Sequence, residues 1–256
     1  MFENEVNEYL FQLNNISNLD FKIADVVRFD NVSKIEILTK NNLKIQLWED
    51  VWQNKRLIVE SRLKALAGQS YTIPARLCKV RRIDQPTLDS FLNQNHLQNS
   101  TKAKFKYGLF LPKQYFRVLD FNPSPEINEI LFAVASFSSA KKITRNGILH
   151  RSYELIRFAN LINFTIVGGF DKLLKAFVNE QSPDDVMTYS DLEWSDGEIY
   201  QKLGFELFGK TAAESFWINK ITKERQNTAR YSPENQYDWV QIENLGNLKF
   251  LKFFNQ

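Results

Sequence analysis

Seventeen residues, "YSDLEWSDGEIYQKLGF" (189–205), hold a carboxylate at the end of a strand-like run and a tyrosine in the helix-like run that follows. Asp191 stands at the carboxyl end of a strand, where open α/β sheets place their sites. Tyr200 falls one turn into the next helix and can turn back toward the same cleft. A carboxylate there can take a proton or orient an amine, and a phenol can bond or stack on a substrate. The same pair also fits an architectural reading, an Asp bonding loop amides and a Tyr half-buried at a sheet edge. The rest of the stretch is structural in pattern. Ser195 and Glu198 have the spacing of a capping box. Ile199 and Leu203 share a helix face that points at the core, and Gly204 ends the helix where positive φ is usual.

A second chemical candidate is "IVGGFDKLL" (166–174). Paired glycines opening a helix let the backbone approach a ligand, and the free N–H groups there favour an anion. Close strand–helix packing requires the same glycines. Of the two histidines, His96 lies in a polar stretch where an imidazole can act as base or ligand, whereas His150 reads as a surface or loop residue. Two histidines and one cysteine, Cys78, make no zinc set. A His96–Asp191 iron-type pair lacks a third ligand, and no G-x-S-x-G elbow occurs.

The elements that must position these residues follow from hydrophobic period and turn chemistry. A helix is predicted over 3–14, then strands over 21–27, 34–38 and 43–48 joined by the turns "FDNVS" and "TKNN". A helix from Val51 to Ala67 has Leu57, Ile58 and Leu66 on its apolar side and Gly68 as C-cap. "GQSYTIP" reads as a linker, which places a domain boundary near residue 70. "ARLCKVRRI" is a strand, "QPTLDSFLNQN" a helix with Pro86 in its first turn, and "FKYGLFL" with "EILFAVASF" an antiparallel pair. Then follow strand "SYELIRFA", helix "FDKLLKAFVNE", strand "DDVMTYSD", helix "DGEIYQKLG" and strands "FELFG" and "SFWINK". The expected fold class is α/β (α+β): a mixed sheet flanked by helices, preceded by a small α/β module. The domains are 1–70, 71–225 and a C-terminal extension, 226–256, in which "LKFLKFF" suits an edge strand or a subunit contact.

Charge is unevenly spread. Residues 1–75 carry net −1, residues 76–180 net +8 and residues 181–256 net −4. The basic clusters are Lys79, Arg81 and Arg82; Lys102, Lys104 and Lys106; and Lys141, Lys142 and Arg145. "TKAKFKYG" suggests a strand presenting three lysines on one face. Such a stripe suits a polyanion, since each neutralised phosphate releases counterions, and a solvated strand face has the same look. No apolar run is long enough to span a bilayer, the acidic start does not read as a signal peptide, and a lone cysteine fits a reducing compartment. These features predict a cytoplasmic protein with no membrane partner.

The order "YGLF…EILFAVASF…SYELIRFA…TIVGGFDKLLKAFV…DVMTYSD…DGEIYQKLGF" resembles the GNAT acetyltransferase fold over about residues 75 to 220. That resemblance implies a glycine turn opening a pyrophosphate-binding helix, hence acetyl-CoA or a related donor. The family's [QR]-x-x-G-x-[GA] loop is not matched in "NFTIVGG". "NHLQ", "ELIRF", "VGG-x-x-K-L-L" and "YSD-x-x-W-S-x-G-x-x-Y-x-K-L-G-F" together are similar to a GNAT-like module of phage and mobile-element proteins and to the Mom DNA-modification family. The resemblance implies His96, Arg157, Asp191 and Tyr200 as the functional set, although Leu97 stands where that family has Tyr. It implies Val167, Gly168, Gly169 and Lys172 on the donor side, iron as a possible metal, and DNA as partner. "IQLWEDVWQNKRLIVESRLKALAG" resembles the last strand and helix of very-short-patch-repair-type nucleases. With Leu38 in place of the motif lysine, it implies a remnant without nuclease activity. The expected function is therefore a DNA-modifying transferase acting on a nucleobase amine, adenine first. The alternatives are a non-catalytic DNA-binding accessory protein and a conventional acyl-CoA-dependent N-acyltransferase.

Overall fold

The computed structural model describes residues 1–16, 20–39 and 42–254. Along the chain run α1 (Phe2–Ile16), β1 (Lys22–Phe29), β2 (Val32–Leu38), β3 (Lys44–Trp48), α2 (Glu49–Leu66), β4 (Tyr71–Pro74), β5 (Lys79–Arg82), α3 (Gln85–Asn95), β6 (Phe105–Pro112) and β7 (Glu129–Phe137). Then come β8 (Lys141–Arg145), β9 (Ile148–Asn160), β10 (Phe164–Val167), α4 (Gly169–Gln181), β11 (Asp185–Asp191) and α5 (Glu198–Lys202). The remaining strands are β12 (Glu206–Lys210), β13 (Ser215–Asn219), β14 (Arg225–Asn227), β15 (Trp239–Glu243) and β16 (Asn247–Phe253). Two compact units result, and neither is continuous in sequence. The first comprises Met1–Glu60, Tyr189–Lys202 and Leu207–Phe250; the second comprises Ser61–Thr188, Leu203–Glu206 and the chain from Leu251 on.

In the first unit β1, β2 and β3 form an antiparallel meander. Asp30 and Asn31 both take positive φ at the first turn, as a two-residue hairpin demands. The second expected turn contains residues 40–41, which lie outside the described residues. A second antiparallel sheet has the order β14-β13-β15. Val32 and Trp48 of the meander pack with Ile218 and Ile242 of that sheet in one apolar cluster. Helix α1 buries Phe2, Val6, Leu10 and Leu13, one face at helical spacing.

Helix α2 departs from its expected face. Ile58 is buried, but Leu57 and Leu66 are exposed, and the buried residues around them are Trp52, Val59 and Leu63. Lys55 has non-helical φ/ψ (−135°, 27°), so the helical phase is reset there and the apolar face rotates.

The second unit is built on a mixed sheet flanked by helices. Strands β5, β6, β7 and β9 pair antiparallel in that order, β8 forms a hairpin with β9, and β11 runs parallel to β9. Helix α4 connects the parallel strands, as a crossover must. It covers one face with Phe177, whose ring stacks on Phe137 at 3.9 Å and meets Tyr153 at 5.1 Å. Helix α3 covers the other face, with Leu88, Phe91 and Leu92 against Val134 and Ala159. Asp84 caps α3 by accepting the Thr87 N–H at 2.9 Å, and Pro86 sits in its first turn.

Three expectations fail here for physical reasons. "GQSYTIP" is no linker, because Tyr71–Pro74 forms the parallel strand β4 against β10. Lys102 and Lys104 precede β6, which begins at Phe105, so no strand face of three lysines exists. Strand β16 is not an edge, since it lies between β12 and β11; alternation of apolar residues cannot tell an inner strand from an outer one.

Candidate functional site

In the first unit Asp191 ends β11 and organises the turn after it. Its Oδ1 accepts the Glu193 N–H at 2.9 Å, and its carbonyl accepts the Trp194 and Ser195 N–H groups at 3.0 and 2.9 Å. Tyr200 is half-buried with its ring 5.4 Å from Phe250. These contacts are of the kind the architectural reading describes. The anticipated capping box does not form: Ser195 Oγ accepts the Gly197 N–H and Asp196 accepts that of Glu198. Ile199 is 51% exposed rather than core-facing. Gly197 has φ +79°, and a Cβ there would lie 2.2 Å from Phe250 Cζ, so the turn closes only on glycine.

Beside Asp191 lies a buried carboxylate that the pattern of the sequence did not single out. Glu193 is 6% exposed and accepts the Trp48 Nε1–H at 2.8 Å. Burial pushes its pKa up to about 7, which the Trp48 hydrogen bond offsets in part and the nearby Asp191 charge reinforces. Only the tertiary fold brings Trp48 to Glu193, so no local signal could have revealed it. Asp50, also buried, is held differently, by a two-pronged pair with Arg225 at 2.7 and 2.9 Å.

The second unit holds His96, Arg157 and the glycine turn. His96 caps the end of α3, and its Nδ1 accepts the Gln98 N–H at 3.1 Å. Arg157 lies on β9, with Nη1 donating to the Ile156 carbonyl at 2.8 Å and Nε to the Asn99 carbonyl at 3.4 Å. The fold therefore gathers His96 and Arg157 around one segment, residues 96–99. Ser136 pairs with Arg157 and Phe137 with Leu155, which leaves Ile156 as the extra residue of a β-bulge.

Both glycines of "VGG" have local structural causes. Gly168 has φ +76° at the start of α4, and a Cβ on Gly169 would lie 2.9 Å from that of Ile166. Val167 is 58% exposed beside them. Lys172 Nζ bonds the Ala75 and Cys78 carbonyls at 3.0 and 2.7 Å. The Cys78 thiol is buried and pushed up to about 11, so it stays protonated at neutral pH.

The basic clusters are partly neutralised. Arg81 pairs with Glu129 and lies over the Phe110 ring at 4.3 Å. Arg82 pairs with Glu180 and lies over Tyr107. Arg145 meets the fully buried Asp185 at 3.1 Å, with Ser152 donating to the same carboxylate. His150, expected at the surface, is largely buried with Nδ1 at 3.6 Å from Asp185. Lys106 donates to the Ala103 carbonyl at 2.9 Å. Lys79, Lys102, Lys104, Lys141 and Lys142 are exposed. Among the described residues no group of three or more His, Cys, Asp or Glu side chains could hold a metal ion. No helix among the described residues is long and apolar enough to cross a membrane.

No protein-family model and no curated protein matches the sequence. Among solved structures the chain is similar to one of the NatC complex bound to Gag peptide and CoA, at 12% identity and TM-score 0.36, over 70% of this chain and 99% of that one. It is similar to a histone acetyltransferase HPA2 and related acetyltransferase from Corynebacterium glutamicum, at 12% identity and TM-score 0.40, over 70% and 97%. It is also similar to a chain of the KacTA–DNA complex, at 15% identity and TM-score 0.33, over 51% and 86%.

Proposed function

We propose that this protein is a GNAT-like N-acyltransferase that moves an acyl group from a coenzyme A thioester to an amine. The observation that carries the reading is the way β9 leaves β11. Among the described residues their parallel ladder pairs Ser152–Glu154 with Asp185–Met187, and Thr188 Oγ1 then donates to the Leu155 carbonyl. Beyond it β9 continues against β7 through Asn160, bulged at Ile156. A strand that parts from its parallel neighbour offers main-chain groups along that side to an extended ligand, and a bulge re-aims the side chains next to it.

In this reading the donor is held by backbone at the start of α4. The first turn of α4 leaves amides without intrahelical acceptors, and Gly168 and Gly169 put no side chain in front of them. Coenzyme A supplies the activated thioester carbonyl. The chain's own part is to hold the pyrophosphate at that turn and extend the donor along β9.

Calorimetric titration with coenzyme A tests this directly. Val167→Glu adds a negative charge at an exposed position beside the turn, so the fold persists while affinity falls by about tenfold or more. A wild-type protein that gives no heat with coenzyme A sinks the reading.

A second reading, in which the amine belongs to a DNA base, is favoured by the five lysines that remain exposed: Lys79, Lys102, Lys104, Lys141 and Lys142. It makes this a Mom-like modifying enzyme acting on adenine or another base extruded from the duplex. Nucleoside mass spectrometry of DNA from a bacterial host expressing the protein, beside an Asp191→Ala control, decides it. An adduct present only with the wild type supports the reading, and unmodified DNA in both rejects it.

A further inference from the structure

Three polar side chains stand abreast on the α3 side of the sheet in the second unit. Lys106 of β6 pairs with Ser136 of β7, and Ser136 pairs with Arg157 of β9. Directly opposed residues point to one face, so the three form a row. Two positions along the same face, Val134 and Ala159 lie under the apolar side chains of α3. The row therefore begins where that apolar cover ends.

The segment leading out of α3 closes over it. Arg157 Nε bonds the Asn99 carbonyl and Lys106 Nζ the Ala103 carbonyl, at 3.4 and 2.9 Å. Both cations are thus tied to main-chain carbonyls of residues 99–103, on strands that flank the one carrying Ser136. The Ser136 Oγ hydroxyl is fully buried and makes no hydrogen bond. Buried hydroxyls are nearly always paired, and an unpaired one is destabilising. A hydroxyl donor set between an ammonium and a guanidinium has the composition of an oxyanion cradle.

We infer that Lys106, Ser136 and Arg157 bind an oxyanion, a phosphoryl or carboxyl group, carried by the acceptor substrate. The assignment to acceptor rather than donor rests on the acyltransferase reading and on the two faces of the sheet. Helix α4, whose start would hold the donor, covers the opposite face through Phe177 against Phe137, Tyr107 and Tyr153. The anion site itself stands whether or not that reading does.

The test titrates inorganic phosphate, and separately acetate, into the full-length wild type, Ser136→Ala and Arg157→Gln, with thermal unfolding followed in parallel. Wild type binds one of the two anions and unfolds at a higher temperature in its presence. Ser136→Ala weakens that binding by about tenfold, yet without anion its unfolding temperature equals or exceeds the wild type's. Arg157→Gln loses binding altogether. Phosphate alone binding assigns a phosphoryl ligand, and acetate alone a carboxyl ligand. Unchanged anion affinity in Ser136→Ala, or no anion binding by wild type, overturns the site. Competition by coenzyme A moves the anion to the donor and overturns its assignment to the acceptor. Loss of coenzyme A binding with the anion response intact removes the acyltransferase reading alone.

Discussion

Two carboxylates eight residues apart in the chain are buried by opposite means. Asp185, fully buried in the second unit, has a guanidinium and a hydroxyl on its oxygens. Glu193, buried in the first unit, has an indole N–H. The guanidinium fork gives Asp185 charge-assisted hydrogen bonds in place of water. The indole N–H is a neutral donor, and burial moves Glu193 toward its protonated form. The difference teaches that burial alone does not mark a carboxylate as chemical. Asp185 is an anchor between β8, β9 and β11. Glu193 is a group whose charge changes near neutrality beside Asp191.

The comparison breaks most visibly at Asp185. Asp185→Ala strands Arg145, whose side chain is only 12% exposed, and should cost about 3–5 kcal/mol by urea unfolding. A loss below about 1 kcal/mol would show that Arg145 finds water easily and that the anchor is slack.

Glu193 gives a smaller effect with a distinctive sign. Its folded pKa lies above the unfolded value, so the folded state holds the proton more tightly. Stability should be full below about pH 4.5 at this group and fall as pH rises to about 7, by up to about 3 kcal/mol. The urea midpoint followed from pH 4.5 to 8 reads this slope. Glu193→Gln should flatten it and stabilise the protein above pH 7. If that variant keeps the slope, another group owns it.

Trp48→Phe removes the donor and leaves the ring. It should cost about 1–2 kcal/mol and move the Glu193 midpoint above 7. The exposed pair Lys175–Asp171 on α4 is the control, with Lys175 70% exposed. Lys175→Ala should change stability by no more than about 0.5 kcal/mol. A larger change there would mean that exposed pairs count as much as buried ones in this chain.

Much of the layout was legible in the sequence. Period and turn residues give the β1–β3 meander, the antiparallel pairing of β6 with β7, the α4 crossover and the caps at Gly68 and Gly204. What escaped depends on pairing across long stretches of chain. Nothing local says that Tyr71–Pro74 will lie against Phe164–Val167, or that Trp48 will bond Glu193. The Lys102–Lys104–Lys106 alternation looked like a strand face because periodicity does not mark where a strand starts. The site was legible in residue type more than in role. Lys172, read from the resemblance as a donor-side residue, bonds the carbonyls of Ala75 and Cys78. Ser136, an ordinary serine inside "FAVASF", stands out only once its neighbours on β6 and β9 are known.

The parallel pairing of β4 with β10 also bears on how the second unit forms. Its partners, Tyr71 and Phe164 at one end, are separated in sequence by α3, β6, β7 and β9. Strand β16 reaches its place beside β11 only after α5 and β12 to β15 have been traversed, and Phe254 there bonds the Asp184 carbonyl. Pairings of this span must close long loops before any contact rewards them. The hairpins of β6 with β7 and β8 with β9 are free to form first, and the sheet waits on its most distant partners. During that wait the main-chain groups along one side of β11 have no strand to pair with.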